Sequence, residues 1–180
     1  GYYQSETYFE KYSENIKSLF GPPLEFVERI KKELPFLFTQ KVTLVNVRRG
    51  DYLHSPNYHP VITPEYVNAS LKHIPHTDVH LIASDDLEWC KENLHLPNPY
   101  FLEGYKPEEQ LWILSMCHNF ILSNSSFSWW AAYLCRHADK IVVAPETWFG
   151  PEYLHQWSNM YCKDWIIQPT YFENGKILPK

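Results

Sequence analysis

The amino-acid sequence predicts an α/β fold, a Rossmann-like, mainly parallel sheet with helices on both faces. Three observations carry this reading. Short apolar runs rich in β-branched residues alternate with stretches of helical periodicity along most of the chain, and such alternation implies right-handed crossovers between parallel strands. A hydrophobic content of 44%, with 17% aromatics, over 180 residues suffices for one well-buried domain. Three of the apolar runs also end in polar clusters, and the carboxyl ends of parallel strands are where such sheets bind ligands.

The elements follow in order. Residues 5–20 and 24–34 place Tyr8, Tyr12, Ile16 and Leu19, then Phe26, Val27, Ile30 and Leu34, at helical spacing, with Gly21-Pro22-Pro23 between them. Val42 to Val47 is a strand bounded by Gly50, and residues 53–62 have no period and read as a loop. Thr63-Pro64-Glu65 opens a helix to about Ile74 as N-cap, N1 and N2. Val79 to Ala83 is a strand ending in Ser84-Asp85-Asp86, with a helix after it to about Leu94. Tyr100 to Leu102, Phe120 to Ser123 and Lys140 to Ala144 are strands, the last closed by Pro145. Pro107 to Cys117 and Ser126 to His137 are the intervening helices. Residues 148–180 are less periodic, and Trp165-Ile166-Ile167 reads as a final edge element.

Composition narrows the function. The formal net charge is −5 and no basic tract is present, which argues against nucleic acid as a partner. Cys90, Cys117, Cys135 and Cys162 form no C-x-x-C pair, so zinc and redox chemistry are not expected. No apolar run of about 18 residues occurs, nor a signal-peptide pattern. Asn68-Ala69-Ser70 fits a glycosylation sequon of a kind common by chance.

The polar strand ends are Arg48-Arg49-Gly50-Asp51, Ser84-Asp85-Asp86 and Ser123-Asn124-Ser125-Ser126. Together they offer cations for a pyrophosphate, carboxylates for base or ribose donors, and hydroxyls with helix-start N–H groups for phosphate oxygens. Each has a plainer alternative. The arginines can form a surface ion pair, Asp85-Asp86 can cap the following helix, and Ser125-Ser126-Phe127 can be an N-cap with an aromatic core behind it. Their recurrence at three strand ends favours a nucleoside-diphosphate site.

These segments resemble the α1,2-fucosyltransferases. Asn46-Val47-Arg48-Arg49-Gly50-Asp51-Tyr52 is similar to that family's His-x-Arg-Arg-Gly-Asp-Tyr motif. Ser84 to Lys91, reading Ser-Asp-Asp-Leu-Glu-Trp-Cys-Lys, and Ser123 to Trp130, reading Ser-Asn-Ser-Ser-Phe-Ser-Trp-Trp, follow in the family's order. Gly1-Tyr2-Tyr3-Gln4 looks like its Gly-Tyr-Phe-Gln segment. The resemblance implies the C-terminal, donor-binding half of a GT-B enzyme, transferring fucose from GDP-fucose to the 2-hydroxyl of a galactoside-containing glycan with inversion and without a metal or other cofactor. Arg48 would hold the donor's β-phosphate, and Asp51 would orient an arginine or act as general base. Asn46, Arg49, Asp85, Asp86, Asn124, Ser125, Ser126 and Phe127 complete the expected donor site, and His54 and His59 could contact acceptor. Asn46 departs from the family's His: it can donate and accept a hydrogen bond but cannot change charge. The N-terminal half of a GT-B enzyme is expected to be absent from this chain. The compartment would be the Golgi lumen for an animal enzyme, and cytoplasmic or membrane-associated for a bacterial one. The rival readings are a glycosyltransferase using another nucleotide sugar and a non-catalytic nucleotide- or glycan-binding module.

Overall fold

A computed structural model describes residues 3–154 and 159–180; Gly1 and Tyr2 of the first motif lie outside the described residues. Among the described residues, seven α-helices and nine strands build the chain. They are α1 (Ser13–Leu19), α2 (Leu24–Glu33), α3 (Phe36–Thr39), β1 (Val42–Val47), β2 (Val61–Ile62), α4 (Pro64–Leu71), β3 (Val79–Ser84) and α5 (Leu87–Asn93), then β4 (Pro99–Phe101), α6 (Pro107–Ser115), β5 (Asn119–Ile121), α7 (Ser126–Leu134), β6 (Ile141–Pro145), β7 (Ile166–Gln168), β8 (Thr170–Glu173) and β9 (Lys176–Pro179). Six strands form one all-parallel sheet in the order β4-β3-β1-β5-β6-β7. From β1 the chain adds β3 and β4 on one side, then crosses back to add β5, β6 and β7 on the other. The reversal lies between β1 and β5, and ligands of open α/β sheets bind at such a switch point.

Alternation along each strand explains the two helical layers. Val42 and Leu44 of β1 join Leu81, Phe120 and Val142 beneath α2, α6 and α7, packing on Ile30, Ile113 and Trp129. Val45 and Val47 face the other way with Ile82 and Ile121, against Tyr66 and Val67 of α4 and Cys90 of α5. These side chains are fully or almost fully buried, each contributing roughly 1.5–3 kcal/mol of transfer free energy. The four cysteines are free and buried within this core.

The α/β expectation holds, with four corrections. Residues 5–20 are not one helix: two 3-10 turns, Glu6–Tyr8 and Glu10–Tyr12, precede α1. Tyr8, Tyr12 and Leu19, expected to pack, are 66%, 64% and 75% exposed. Phe9 packs instead, among Trp129, Trp130 and Tyr133, while Ser5 donates to the Asn159 carbonyl at 2.7 Å and holds the segment down. The stretch 53–62 is not wholly loop, because Val61–Ile62 pairs with β9. β6 runs Ile141–Pro145 where Lys140 to Ala144 was expected, with Pro145 closing it in register with Gln168. The C-terminal stretch adds β7 as the expected edge strand and also forms a second sheet, β2-β9-β8. Its β8–β9 hairpin turns through Asn174 and Gly175, both at positive φ (49° and 77°), the conformation a tight hairpin requires. Among the described residues, no helix is long and apolar enough to cross a membrane.

Candidate functional site

The ends of β1, β3 and β5 lie side by side, with Val47 opposite Ser84 and Val45 opposite Ile121. This register brings the three polar clusters together. Asn46 sits on the α7 side of β1 and is 6% exposed. It accepts from Ser123 Oγ at 2.5 Å and donates to the Ala83 carbonyl at 3.2 Å. Its amide thus ties the three strand ends together, a task that uses both an acceptor and a donor.

The two arginines part company where β1 ends. Arg48 turns outward: Nε donates to Asp51 Oδ1 at 3.0 Å, Nη2 lies 2.8 Å from the same oxygen, and Asp85 Oδ2 forms an ion pair with Nε at 3.2 Å. Its side chain stays 40% exposed. Among the described residues nothing bonds Nη1, which leaves that end of the fork for a ligand. Arg49 turns inward. Its guanidinium lies 3.9 Å from the Trp89 ring centroid, and Nε donates to Asp86 Oδ2 at 3.1 Å.

The two aspartates divide the work in parallel. Asp86 caps α5, accepting from the Trp89 N–H at 3.2 Å. Asp85 accepts from the Arg49 N–H at 2.9 Å and faces Arg48. Gly50 makes this approach possible: a Cβ there would stand 2.5 Å from Asp85 Oδ2.

After β5 the chain enters α7 through a hydroxyl-rich turn. Ser125 is the N-cap, accepting from the Phe127 N–H at 3.3 Å, and Ser126 is the first helical residue. Ser128 Oγ donates back to the Ser125 and Ser123 carbonyls, bracing the turn. Asn124 is 2% exposed. Its Nδ2 donates at 2.9 Å to both the Pro60 and Trp148 carbonyls, and its own carbonyl accepts from Tyr52 Oη at 2.9 Å.

Two clefts meet at Arg48, Ser125 and Phe127, which line both. One, about 340 Å³, also takes Asn46, Val47, Ser84, Asp85, Pro107 and Gln110. The other, about 320 Å³, also takes Gln4, Asp51, Tyr52, His59, Ser126 and Trp148. The His59 ring stacks on Tyr52 at 4.6 Å and 16°. Burial first, and the Arg48 charge as well, hold His59 below the ordinary imidazole range against the pull of Asp51, so it is neutral at pH 7. Nine of the expected residues therefore line the two clefts, and Arg49 and Asp86 line neither. Asn46 and Asp86 engage both side-chain polar atoms within the protein, and Arg49 donates Nε to Asp86. His54 is exposed and lines neither cleft. Gln4, the last residue of the Gly-Tyr-Tyr-Gln segment, lines one cleft, and Gln110 lines the other without a sequence signal that singles it out as a ligand. Among the described residues no group of three or more His, Cys, Asp or Glu side chains is placed to hold a metal ion.

The model for Glycosyl transferase family 11 matches residues 1–168, and the chain belongs to that family. It is 32% identical over 168 residues to the alpha-1,2-colitosyltransferase of Escherichia coli, covering 86% of this chain and 57% of that protein. It is 33% identical over 118 residues to the O-antigen biosynthesis glycosyltransferase WbnK of Escherichia coli, covering 60% of this chain and 39% of the relative. Galactoside alpha-(1,2)-fucosyltransferase 2 of Rattus norvegicus is 30% identical over 115 residues, covering 57% of this chain and 32% of the relative. The chain thus spans between about a third and somewhat more than half of these relatives' lengths. No solved structure matches it.

Proposed function

We propose that this family 11 member binds the donor in a galactoside 2-α-L-fucosyltransferase, moving fucose from GDP-fucose to the 2-hydroxyl of a galactoside. The observation that carries the reading is Arg48, a half-exposed guanidinium at the switch point between β1 and β5, with the Ser125-Ser126 turn lining the same two clefts. A planar fork suits a pyrophosphate oxygen pair better than an ammonium does.

In this reading the acceptor hydroxyl attacks the anomeric carbon from the face opposite the pyrophosphate. The bond to the phosphate oxygen breaks, its electron pair leaves on GDP, and the hydroxyl proton passes to a base. Arg48 stabilises the charge that grows on the departing phosphate, and Asp51 positions Arg48 through its 2.8 Å ion pair. That cationic fork supplies the counter-charge without a metal. A second domain of GT-B type completes the acceptor side, in line with the chain's spanning 57% or less of these relatives' lengths.

One relative, 32% identical over 168 residues, is a colitosyltransferase, which favours a second reading with a colitosyl donor. Calorimetry with GDP, UDP and both nucleotide sugars, in the presence and absence of EDTA, tests the proposal. GDP should bind and UDP should not, with no effect of chelation. Tighter binding of UDP, or binding that requires magnesium or manganese, would overturn it.

A further inference from the structure

We propose that the cleft between His59 and the β5–α7 turn is the pocket for the sugar being transferred, and that Gln4, His59 and Asn124 bind its hydroxyls. The assignment rests on the donor-binding reading above and deepens it.

Three buried side-chain atoms have no hydrogen-bond partner among the described residues and belong to residues lining this one cleft: Gln4 Nε2, His59 Nδ1 and Asn124 Oδ1. Buried polar atoms are nearly always paired, and an orphan is costly. A ligand that supplies all three partners relieves that cost at once. The chemistry of the three selects the ligand. Asn124 Nδ2 is fixed by two carbonyl acceptors, so its orphan is an acceptor. Gln4 Nε2 is a donor, and a neutral imidazole Nδ1 can be either. A phosphate, which only accepts, cannot satisfy Asn124, whereas sugar hydroxyls both donate and accept. The aromatic side chains of Tyr52, Trp148 and Phe149 line the same cleft, a surface suited to the C–H face of a pyranose.

The position along the donor follows from the shared residues. Arg48, Ser125 and Phe127 line both clefts, so a pyrophosphate held by Arg48 has the nucleoside on one side and the sugar on the other. The opposite cleft carries Asp85 at the end of β3, the strand beside β1. In dinucleotide-binding doubly wound folds, an acidic residue downstream of the first βα turn holds the ribose hydroxyls, and Asp85 offers a carboxylate downstream of β1 in the same way. The nucleoside therefore goes there, and the sugar goes to the cleft with the orphan atoms.

Gln4→Met and His59→Phe test this by calorimetry with GDP and with GDP-fucose. Neither side chain makes a hydrogen bond to another described residue, and phenylalanine keeps the stacking on Tyr52. Each variant should weaken GDP-fucose about five- to tenfold and leave GDP within about twofold. Equal weakening of both ligands would give this cleft to the nucleoside and overturn the assignment. So would unchanged binding of both, with or without weaker binding of the acceptor galactoside. Failure of the parent chain to bind GDP would remove the donor-binding reading itself, and this one with it. Should either variant not fold, saturation transfer in the parent chain decides. Irradiated aromatic protons should mark the fucosyl methyl of bound GDP-fucose, and an unmarked methyl would overturn the proposal.

Discussion

The regions around Arg48 and Arg49 are built from the same parts, an arginine, an aspartate and an aromatic ring, and do opposite jobs. Around Arg49 the set is closed. Trp89 covers the guanidinium face, Asp86 takes Nε, and the side chain is 14% exposed. Around Arg48 the set is open. Tyr52 lies 5.7 Å away, two carboxylates hold one edge, and the other edge faces two clefts. The same charge one residue apart thus becomes a brace for α5 in one case and an anion-facing fork in the other. Which of two adjacent arginines stays open to the clefts is decided by which side of the strand end has a tryptophan.

The largest expected effect breaks the open half. Arg48→Ala should lower fucosyl transfer by about 2–4 kcal/mol of transition-state stabilisation, with little rescue by Arg48→Lys. Steady-state transfer from GDP-fucose to lactose by the whole enzyme measures it, and near-normal turnover of the lysine variant would remove Arg48 from the central role. Breaking the closed half should read out in stability. Arg49→Met leaves Asp86 with an unpaired carboxylate oxygen and should cost about 1–3 kcal/mol in urea unfolding. GDP affinity should stay within about threefold, and a larger loss would place Arg49 on the ligand. Gly50→Ala couples the two halves. Its Cβ displaces the Asp85 carboxylate, which holds both Arg48 Nε and the Arg49 N–H. A carboxylate on a flexible side chain can move, so the chain should fold and lose about 1 kcal/mol of GDP binding.

The smallest effect concerns pH. Burial lowers the proton affinity of His59, His80 and His118 in the folded chain. Protons then bind the unfolded chain first. The stability these residues contribute is complete above the ordinary imidazole value and is lost as pH falls through the folded values. His59→Phe should therefore shrink the stability drop between pH 7 and pH 5, as read by urea unfolding at both. An unchanged drop would mean that His59 titrates as it does in the unfolded chain.

Much of this arrangement was legible. Strand periodicity located Val42–Val47 and Val79–Ser84 almost to the residue, because both are buried on both faces and read as continuous apolar runs. The polar strand ends then located the clefts. What sequence reasoning could not separate was Arg48 from Arg49 or Asp85 from Asp86. Adjacent residues on a strand end point to opposite sides, and only packing reveals which side holds Trp89. The first segment misled because Tyr8 and Tyr12 have helical spacing but lie exposed, while Phe9 buries itself in the aromatic cluster on α7. The second sheet had half a signal. Asn174-Gly175 is an ordinary hairpin turn, but a parallel partner of two residues, Val61–Ile62, is too short to announce itself.

That short strand gives the C-terminal hairpin leverage over a segment more than a hundred residues earlier. Val61 donates to the Gly175 carbonyl, a Cβ on Gly175 would strike Pro56, and a Cβ on Gly150 would strike the Asn57 backbone. The stretch carrying Tyr52 and His59 is thus clasped at its far end by residues with no ligand chemistry of their own. A clasp of this kind sets how much disorder the stretch retains before a ligand arrives, and hence how much of the binding free energy is spent on ordering it. Affinity and residence time can then drift with substitutions in β8 and β9 while every group that meets the ligand stays the same.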